Sequence, residues 1–202
     1  MSSESGGQDS FPKSFGFPAL ETPRLRLRRL SASDAPAVFR YMSQEIVMRY
    51  YDLPVFRNLY EAERIIGHWN RRFEDGEGIR WALELKESGG MIGTCGFHNW
   101  QREHCRAELG YELSPDHWAR GYMAEALQAV IRFGFGAMRL NRIEAYTEPE
   151  NVASIKLLLK SGLVKEGLLR EIFFEKNRFF DAVVFSLLRS EYEEGGDFPA
   201  QN

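Results

Sequence analysis

Residues 114–138 read SPDHWARGYMAEALQAVIRFGFGAM, a proline-marked loop that passes through Gly121 into a long apolar-rich run with helical spacing. A helix that begins this way leaves the N–H groups of its first turn without intrahelical partners and aims its positive dipole end at the loop, which favours an anion. Gly121 lets the backbone approach such an anion closely. The signal is weakly specific, because many turns before helices look the same and bind nothing.

Three runs before this stretch read as strands: Arg80–Leu85, Met91–Phe97 and Arg106–Leu113. The first two join across Ser88-Gly89-Gly90 as a tight hairpin, so the three form an antiparallel meander. Gly110 lies inside the third, RAELGYEL, where glycine weakens a strand and marks a bulge or the close approach of another backbone. Further upstream, Arg24–Leu30 alternates Arg and Leu as a strand with one apolar face, and SASDAP offers Ser33 or Asp34 as cap for a helix to about Met42. Asn58–Phe73 carries Tyr60, Ile65, Ile66 and Trp69 at near-helical spacing and ends at Asp75-Gly76. Downstream, Arg142–Thr147 reads as a strand, Asn151–Lys160 as a helix stopped by Gly162, and Leu163–Leu188 as a hairpin turning near Lys176-Asn177. The expected fold class is α+β, a mixed and mostly antiparallel sheet of about six to seven strands with helices on both faces. Residues 1–18 are an expected flexible or loosely docked tail and 193–202 a C-terminal tail around a single domain over 19–192, with fraying already within EYEEGGDFPAQN.

At 202 residues the chain suits one domain with a full core. Its 44% hydrophobic and 27% charged content is that of an ordinary soluble protein, and a net charge of -3 argues against a broad nucleic-acid surface. The two cysteines, Cys95 and Cys105, look like reduced thiols rather than a disulfide framework, so a cytoplasmic location is expected. MSSESGGQDS lacks a basic segment followed by an apolar run, and no window approaches a membrane span, so no membrane partner is expected. Cys95, His98, His104 and Cys105 have metal-ligand residue types. Period two nevertheless sets Cys95 and His98 on opposite strand faces, and His104 and Cys105 likewise, so no metal site is expected.

Two helix starts, Trp118–Ala124 and Asn151–Ser154, flank the Arg142–Thr147 strand, and right-handed crossover brings them to one end of the sheet. If the Gly110 strand splays from Arg142–Thr147, an extended ligand fits between them with its phosphates at Gly121. The runs AELGYELSPDHWARGYMAEAL (107–127) and ENVASIKLLLKSGL (150–163) come with TPRLRLRRL (22–30), MIGTCGF (91–97) and KNRFFDAVVFSLL (176–188). Together they resemble the Gcn5-related N-acetyltransferase superfamily, and within it the RimJ/RimL-type branch that acetylates protein N-termini, over about Thr22 to Tyr192. The resemblance implies acetyl-CoA as co-substrate. The phosphate-loop pattern Arg/Gln-x-x-Gly-x-Gly/Ala falls on Trp118, Ala119, Arg120, Gly121, Tyr122 and Met123. The resemblance implies pyrophosphate at the N–H groups from Arg120 to Ala124, a pantetheine arm along Leu113 and Ser114, and further coenzyme contacts from Asn151 and Ser154; Lys160, on the last turn of the final expected helix, is a candidate for a coenzyme phosphate. Trp118 is common at its position in this branch. Met123 departs from the usual Gly or Ala, and either crowds the pyrophosphate or turns into the core. On packing grounds alone, Asn151 and Ser154 are helix-cap residues and Lys160 is a solvated last-turn cation.

Acetylating an amine requires a base for the amine proton, stabilisation of an oxyanion and a proton for the thiolate. Glu108 matches the strand position of a glutamate base in some members of the superfamily, and Glu112 shares its strand face by period two; a solvated or salt-bridged glutamate is the alternative for both. Many members carry a proton-donating tyrosine on the helix after the sixth strand. Leu158 stands there, which leaves Ser154 or water as the acid. Tyr50, Tyr51, Trp69 and Trp100 are expected surroundings of a pocket. The implied activity is N-acetylation of a protein α-amino group, as on a ribosomal protein. An α-amine with pKa near ~8 needs only a weak base, unlike a lysine near ~10.4. The alternatives are a small-amine acceptor (antibiotic, polyamine or amino acid), to be decided by the 45–75 region, and a non-catalytic acyl-CoA-binding module, motivated by Met123 and the missing tyrosine. The oligomeric state is open, a homodimer included.

Overall fold

The computed structural model describes residues 16–194. In chain order these form β1 (Leu20–Glu21), β2 (Leu25–Arg29), a 3-10 turn (Ala32–Asp34), α1 (Ala35–Met42), α2 (Glu45–Met48), α3 (Leu59–Glu74), β3 (Ile79–Leu85), β4 (Met91–Gln101) and β5 (Arg106–Leu113). Then follow α4 (Tyr122–Gly136), β6 (Arg142–Thr147), α5 (Val152–Lys160), β7 (Val164–Glu175), β8 (Arg178–Leu188) and α6 (Arg189–Glu194). All eight strands share one sheet in the order β1-β2-β3-β4-β5-β6-β8-β7. Only β5 and β6 run parallel, as an intervening crossover helix requires.

Alternation along the strands explains why both sheet faces carry helices. In β3, Ile79, Trp81 and Leu83 join the α4-side core with Leu127, Ile131 and Phe135, whereas Ala82 joins Val38, Met42, Ala62 and Ile66 from α1 and α3 on the other face. Local chemistry sets the element ends. Asn58 caps α3 by accepting the Glu61 N–H at 3.2 Å, and the Glu61 carboxylate accepts the Asn58 N–H at 3.3 Å, a reciprocal capping box. Lys176 and Asn177, at φ 48° and 60°, make the left-handed two-residue turn that matches strand twist in the final hairpin.

Several expectations need correction. The sheet has eight strands rather than six to seven because the two residues of β1 pair with β2, a segment too short to show a period. Residues 1–15 and 195–202 of the expected tails lie outside the described residues, but Phe17 and Pro18 are docked: the Trp81 indole donates to the Pro18 carbonyl at 2.7 Å, and the Phe17 ring lies 4.9 Å from Phe73. Residues 191–194, expected to fray, belong to α6, where the Tyr192 ring stacks on Phe135 at 4.9 Å. No bulge falls at Gly110, which pairs with Gly96 in unbroken register; the irregularity is in β4, between His98 and Gln101. Gly110 makes room for side chains instead. A Cβ there would stand 2.8 Å from Arg80 Nη1 and 3.2 Å from His98 Cε1.

The feature that positions a site is a divergence. β5 pairs with β6 only from Arg106↔Arg142 to Glu108↔Glu144, while β6 stays with β8 along its whole length, from Arg142↔Leu188 to Thr147↔Val183. From Leu109 to Leu113, β5 has left its parallel neighbour, and a cleft opens between them.

Candidate active site

The cleft encloses about 1140 Å³ and is walled by β5, the loop before α4, the first turn of α4, β6 and α5, with the α2–α3 segment and the β7–β8 hairpin also lining it. Ser114 donates its N–H to Ile92 O at 2.8 Å, which sets the phase of the β4–β5 ladder. By the alternation of antiparallel pairs, Leu113 and Tyr111 then turn their N–H and C=O groups away from β4, toward the side that β6 has vacated. The Leu113 carbonyl accepts the Trp118 indole N–H at 2.7 Å. An extended ligand laid in the cleft therefore meets the strand edge of Tyr111 and Leu113, whereas the Ser114 N–H is already engaged.

At one end of this edge, Gly121 caps α4 with φ 78°. Glu125 is the first residue of the helix to return its N–H to a carbonyl, that of Gly121 at 3.1 Å. The N–H groups of Gly121, Tyr122, Met123 and Ala124 precede that bond and have no intrahelical acceptor, so they and the helix dipole present positive potential to the cleft. Met123, at 7% exposure, packs into the α4-side core and also borders the cleft at the helix start. Of the other expected coenzyme contacts, Leu113, Trp118, Ala119, Tyr122, Ala124, Asn151 and Lys160 line the cleft, but Ser114 and Arg120 do not. Asn151 is a helix cap, its side chain accepting the Ser154 N–H at 3.2 Å, and Lys160 is exposed in the last turn of α5.

Two chemically different groups of side chains face the cleft from opposite faces of β5. On one face, Glu108 accepts a hydrogen bond from Asn99 Nδ2 at 2.5 Å and lies 3.3 Å from His98 Nε2. Burial works to raise the Glu108 carboxyl, but the hydrogen bonds from His98 and Asn99 outweigh it and hold it below its ordinary value. It is ionised at neutral pH, and a weak base. Glu112, on the same face, is committed elsewhere. It pairs with the buried Arg80 guanidinium and accepts the Thr94 hydroxyl and, at 3.4 Å, the Tyr41 hydroxyl, while Arg80 Nε donates to Thr94 Oγ1 at 2.6 Å. Burial raises the Glu112 carboxyl, and the Arg80 charge opposes that rise. Tyr50, Tyr51 and Trp69 line the cleft on this side, with the Arg80 guanidinium 5.1 Å from the Trp69 ring; Trp100 does not, and lies instead beneath Arg102 at 4.1 Å.

On the opposite face, Tyr111 Oη and Ser154 Oγ are 2.8 Å apart. Burial raises the Tyr111 phenol well above its ordinary value, so it keeps its proton. Leu158, at the position where many members of the resembled superfamily carry a tyrosine, is a buried core residue. Sequence reasoning missed Tyr111. The available signal was its period-two position between Leu109 and Leu113, on the strand face that meets α5. Among the described residues, no group of three or more His, Cys, Asp or Glu could hold a metal ion, and no helix is long and apolar enough to cross a membrane.

Comparison with known proteins agrees with this geometry. A family model described as an acetyltransferase (GNAT) domain matches residues 24–164. The uncharacterized N-acetyltransferase p20 of Bacillus licheniformis is 42% identical over 173 residues, covering 86% of this chain and 97% of p20. A GNAT-family acetyltransferase from Bacillus anthracis superposes with a TM-score of 0.77 at 26% identity, over 86% of this chain and 99% of that one. RimL, a ribosomal L7/L12 alpha-N-protein acetyltransferase solved with coenzyme A, shares the fold at a TM-score of 0.78 and 17% identity, over 87% of this chain and all (100%) of RimL. A spermidine N(1)-acetyltransferase of Vibrio cholerae is 24% identical over 169 residues, 84% of this chain and 95% of its own. The splayed strands, the open helix start and these matches lead to one conclusion: the chain belongs to the GNAT family of acetyl-CoA-dependent N-acetyltransferases.

Proposed function

We propose that this chain acetylates the N-terminal α-amino group of a protein, with Glu108 as base and the Tyr111–Ser154 hydroxyl pair as the proton source for the thiolate. Acetyl-CoA supplies the acetyl thioester. Its pyrophosphate is assigned to the N–H groups of Gly121 to Ala124 and its pantetheine arm to the β5 edge at Tyr111 and Leu113. One observation carries the reading. The cleft runs between a carboxylate on one face of β5 and a hydrogen-bonded hydroxyl pair on the other. Glu108 takes the amine proton directly or through water, on the side lined by Tyr50, Tyr51 and Trp69. Ser154 and Tyr111 hold protons where sulfur departs, and backbone N–H groups at the β5 edge are placed to steady developing negative charge on the carbonyl oxygen. A carboxylate held low in pKa suits an α-amine that is already partly neutral at pH 7 better than a lysine amine.

A second reading, a small polycationic amine, is favoured by the gathering of Asp52, Glu148 and Glu175 along the same cleft, where burial and the charges of Asp52 and Glu148 raise the Glu175 carboxyl. Incubation with acetyl-CoA and a panel of N-terminal peptides, spermidine and aminoglycosides, followed by free thiol, separates the two. The α-amine reading expects peptides to exceed spermidine in kcat/KM by at least ~10-fold. It also expects Glu108→Gln to lower kcat by roughly 100-fold, with the loss shrinking as pH rises. Preferred turnover of spermidine, or a fully active Glu108→Gln enzyme, would overturn it.

A further inference from the structure

Arg24, just before β2, reaches across the fold to the start of α4. Its backbone N–H donates to Glu125 Oε1 at 2.8 Å, its Nε to Glu125 Oε2 at 2.6 Å and its Nη1 to the Arg120 carbonyl at 2.9 Å. The Thr22 hydroxyl adds a bond to Glu125 Oε1 at 2.6 Å, the guanidinium lies 4.4 Å from the Tyr122 ring centroid, and Nη2 stands 3.4 Å from where a Gly121 Cβ would be. These contacts have two physical consequences. A trans peptide points its N–H opposite its C=O, so tying the Arg120 carbonyl to Arg24 turns the Gly121 N–H the other way, toward the cleft. Glu125 is also an anion in the first turn of α4, where it would compete with a bound phosphate for the helix's positive end, and Arg24 neutralises it.

We propose that Arg24 is a positioning residue for the acetyl donor: it orients the Arg120–Gly121 peptide and cancels the Glu125 charge, so that the start of α4 accepts a pyrophosphate. The inference rests on the phosphate placement proposed above. It makes the turn before β2 part of donor recognition, although Arg24 lies 96 residues before the Arg120 carbonyl it holds.

The test compares acetyl-CoA with S-acetylpantetheine, which carries the thioester arm without the pyrophosphate, for wild type, Arg24→Gln, Arg24→Lys and Arg24→Gln/Glu125→Gln. Loss of charge-assisted hydrogen bonds predicts that Arg24→Gln raises KM for acetyl-CoA by at least ~10-fold, leaves kcat within about threefold and leaves KM for S-acetylpantetheine unchanged. Arg24→Lys, which can pair with Glu125 but cannot hold the carbonyl as well, should recover part of the loss, and so should removing the Glu125 charge. Equal losses with both donors, or an unchanged KM for acetyl-CoA, overturn the role of Arg24. A wild-type enzyme that uses both donors equally well overturns the phosphate placement itself, and so separates the two failures.

Discussion

Replacing Arg80 with methionine removes one member of a buried ion pair and leaves the other, Glu112, without a counter-charge. The side chains are 8% and 4% exposed, so water compensates neither. Breaking such a pair from one side costs about 3–5 kcal/mol, because an ionised carboxylate is stranded in a poorly polarisable interior. The cost should depend on pH. Burial already raises the Glu112 carboxyl, and the opposing charge is that of Arg80, so Arg80→Met raises it further. A folded pKa above the unfolded value of about 4.3 contributes stability that is complete below the unfolded value and lost as pH rises through the folded one. The deficit of Arg80→Met relative to wild type should therefore be largest near pH 7 and fall by up to ~2–3 kcal/mol by pH 5, at about 1.4 kcal/mol per unit. Arg80→Met/Glu112→Leu removes the stranded charge and should recover all but roughly 1–3 kcal/mol, the remainder reflecting the unpaired Thr94 and Tyr41 hydroxyls. Urea midpoints followed by tryptophan fluorescence at pH 5, 6 and 7 report all three proteins. A deficit below about 1 kcal/mol, a deficit that does not change with pH, or a double variant no better than the single one would refute the account of Glu112 as a structural carboxylate.

Met123→Ala should lower stability by about 2–5 kcal/mol through the cavity it opens in the α4-side core, while the calorimetric Kd for acetyl-CoA stays within about twofold; a large change in Kd would mean that Met123 shapes the phosphate site. In a DTNB titration at pH 8, one thiol, the exposed Cys105, should react in the folded protein. Cys95, pushed up to about 12 by burial, should react only in denaturant, and two fast thiols would contradict its packing.

Much of the fold was legible because its signals are short-ranged. The alternation LRLRR marked β2, the bounds of β5 and β6 followed from strand-forming runs ended by turn residues, and Lys176-Asn177 marked the hairpin turn. The missed elements have two, four and six residues: β1, α2 and α6. Segments that short complete no period and are held by what they pack against, as Tyr192 is by Phe135. Of the site, the helix start at Gly121 was accessible, because a glycine turn leaves a local trace, whereas the separation of β5 from β6 entered only as a condition for a ligand to fit between them and is decided by their pairing. The reason for Gly110 was not accessible either: it accommodates Arg80 and His98, side chains from two other strands.

The order of the residues thus carried the elements, the capping glycine of α4 and, through motifs resembling a known superfamily, the acetyl-transfer chemistry. The fold assigned each carboxylate and hydroxyl its circumstances. Glu108 and Glu112 are equivalent by strand period and both border the cleft, yet one is partly exposed beside His98 while the other is buried and taken by Arg80, 32 residues away. Tyr111 gains Ser154 as a partner 43 residues on, and Arg24 reaches Glu125 across 101. Hydrogen-bond partners within a turn or two follow from backbone geometry, but partners tens of residues apart follow from strand order and register, which no local pattern encodes.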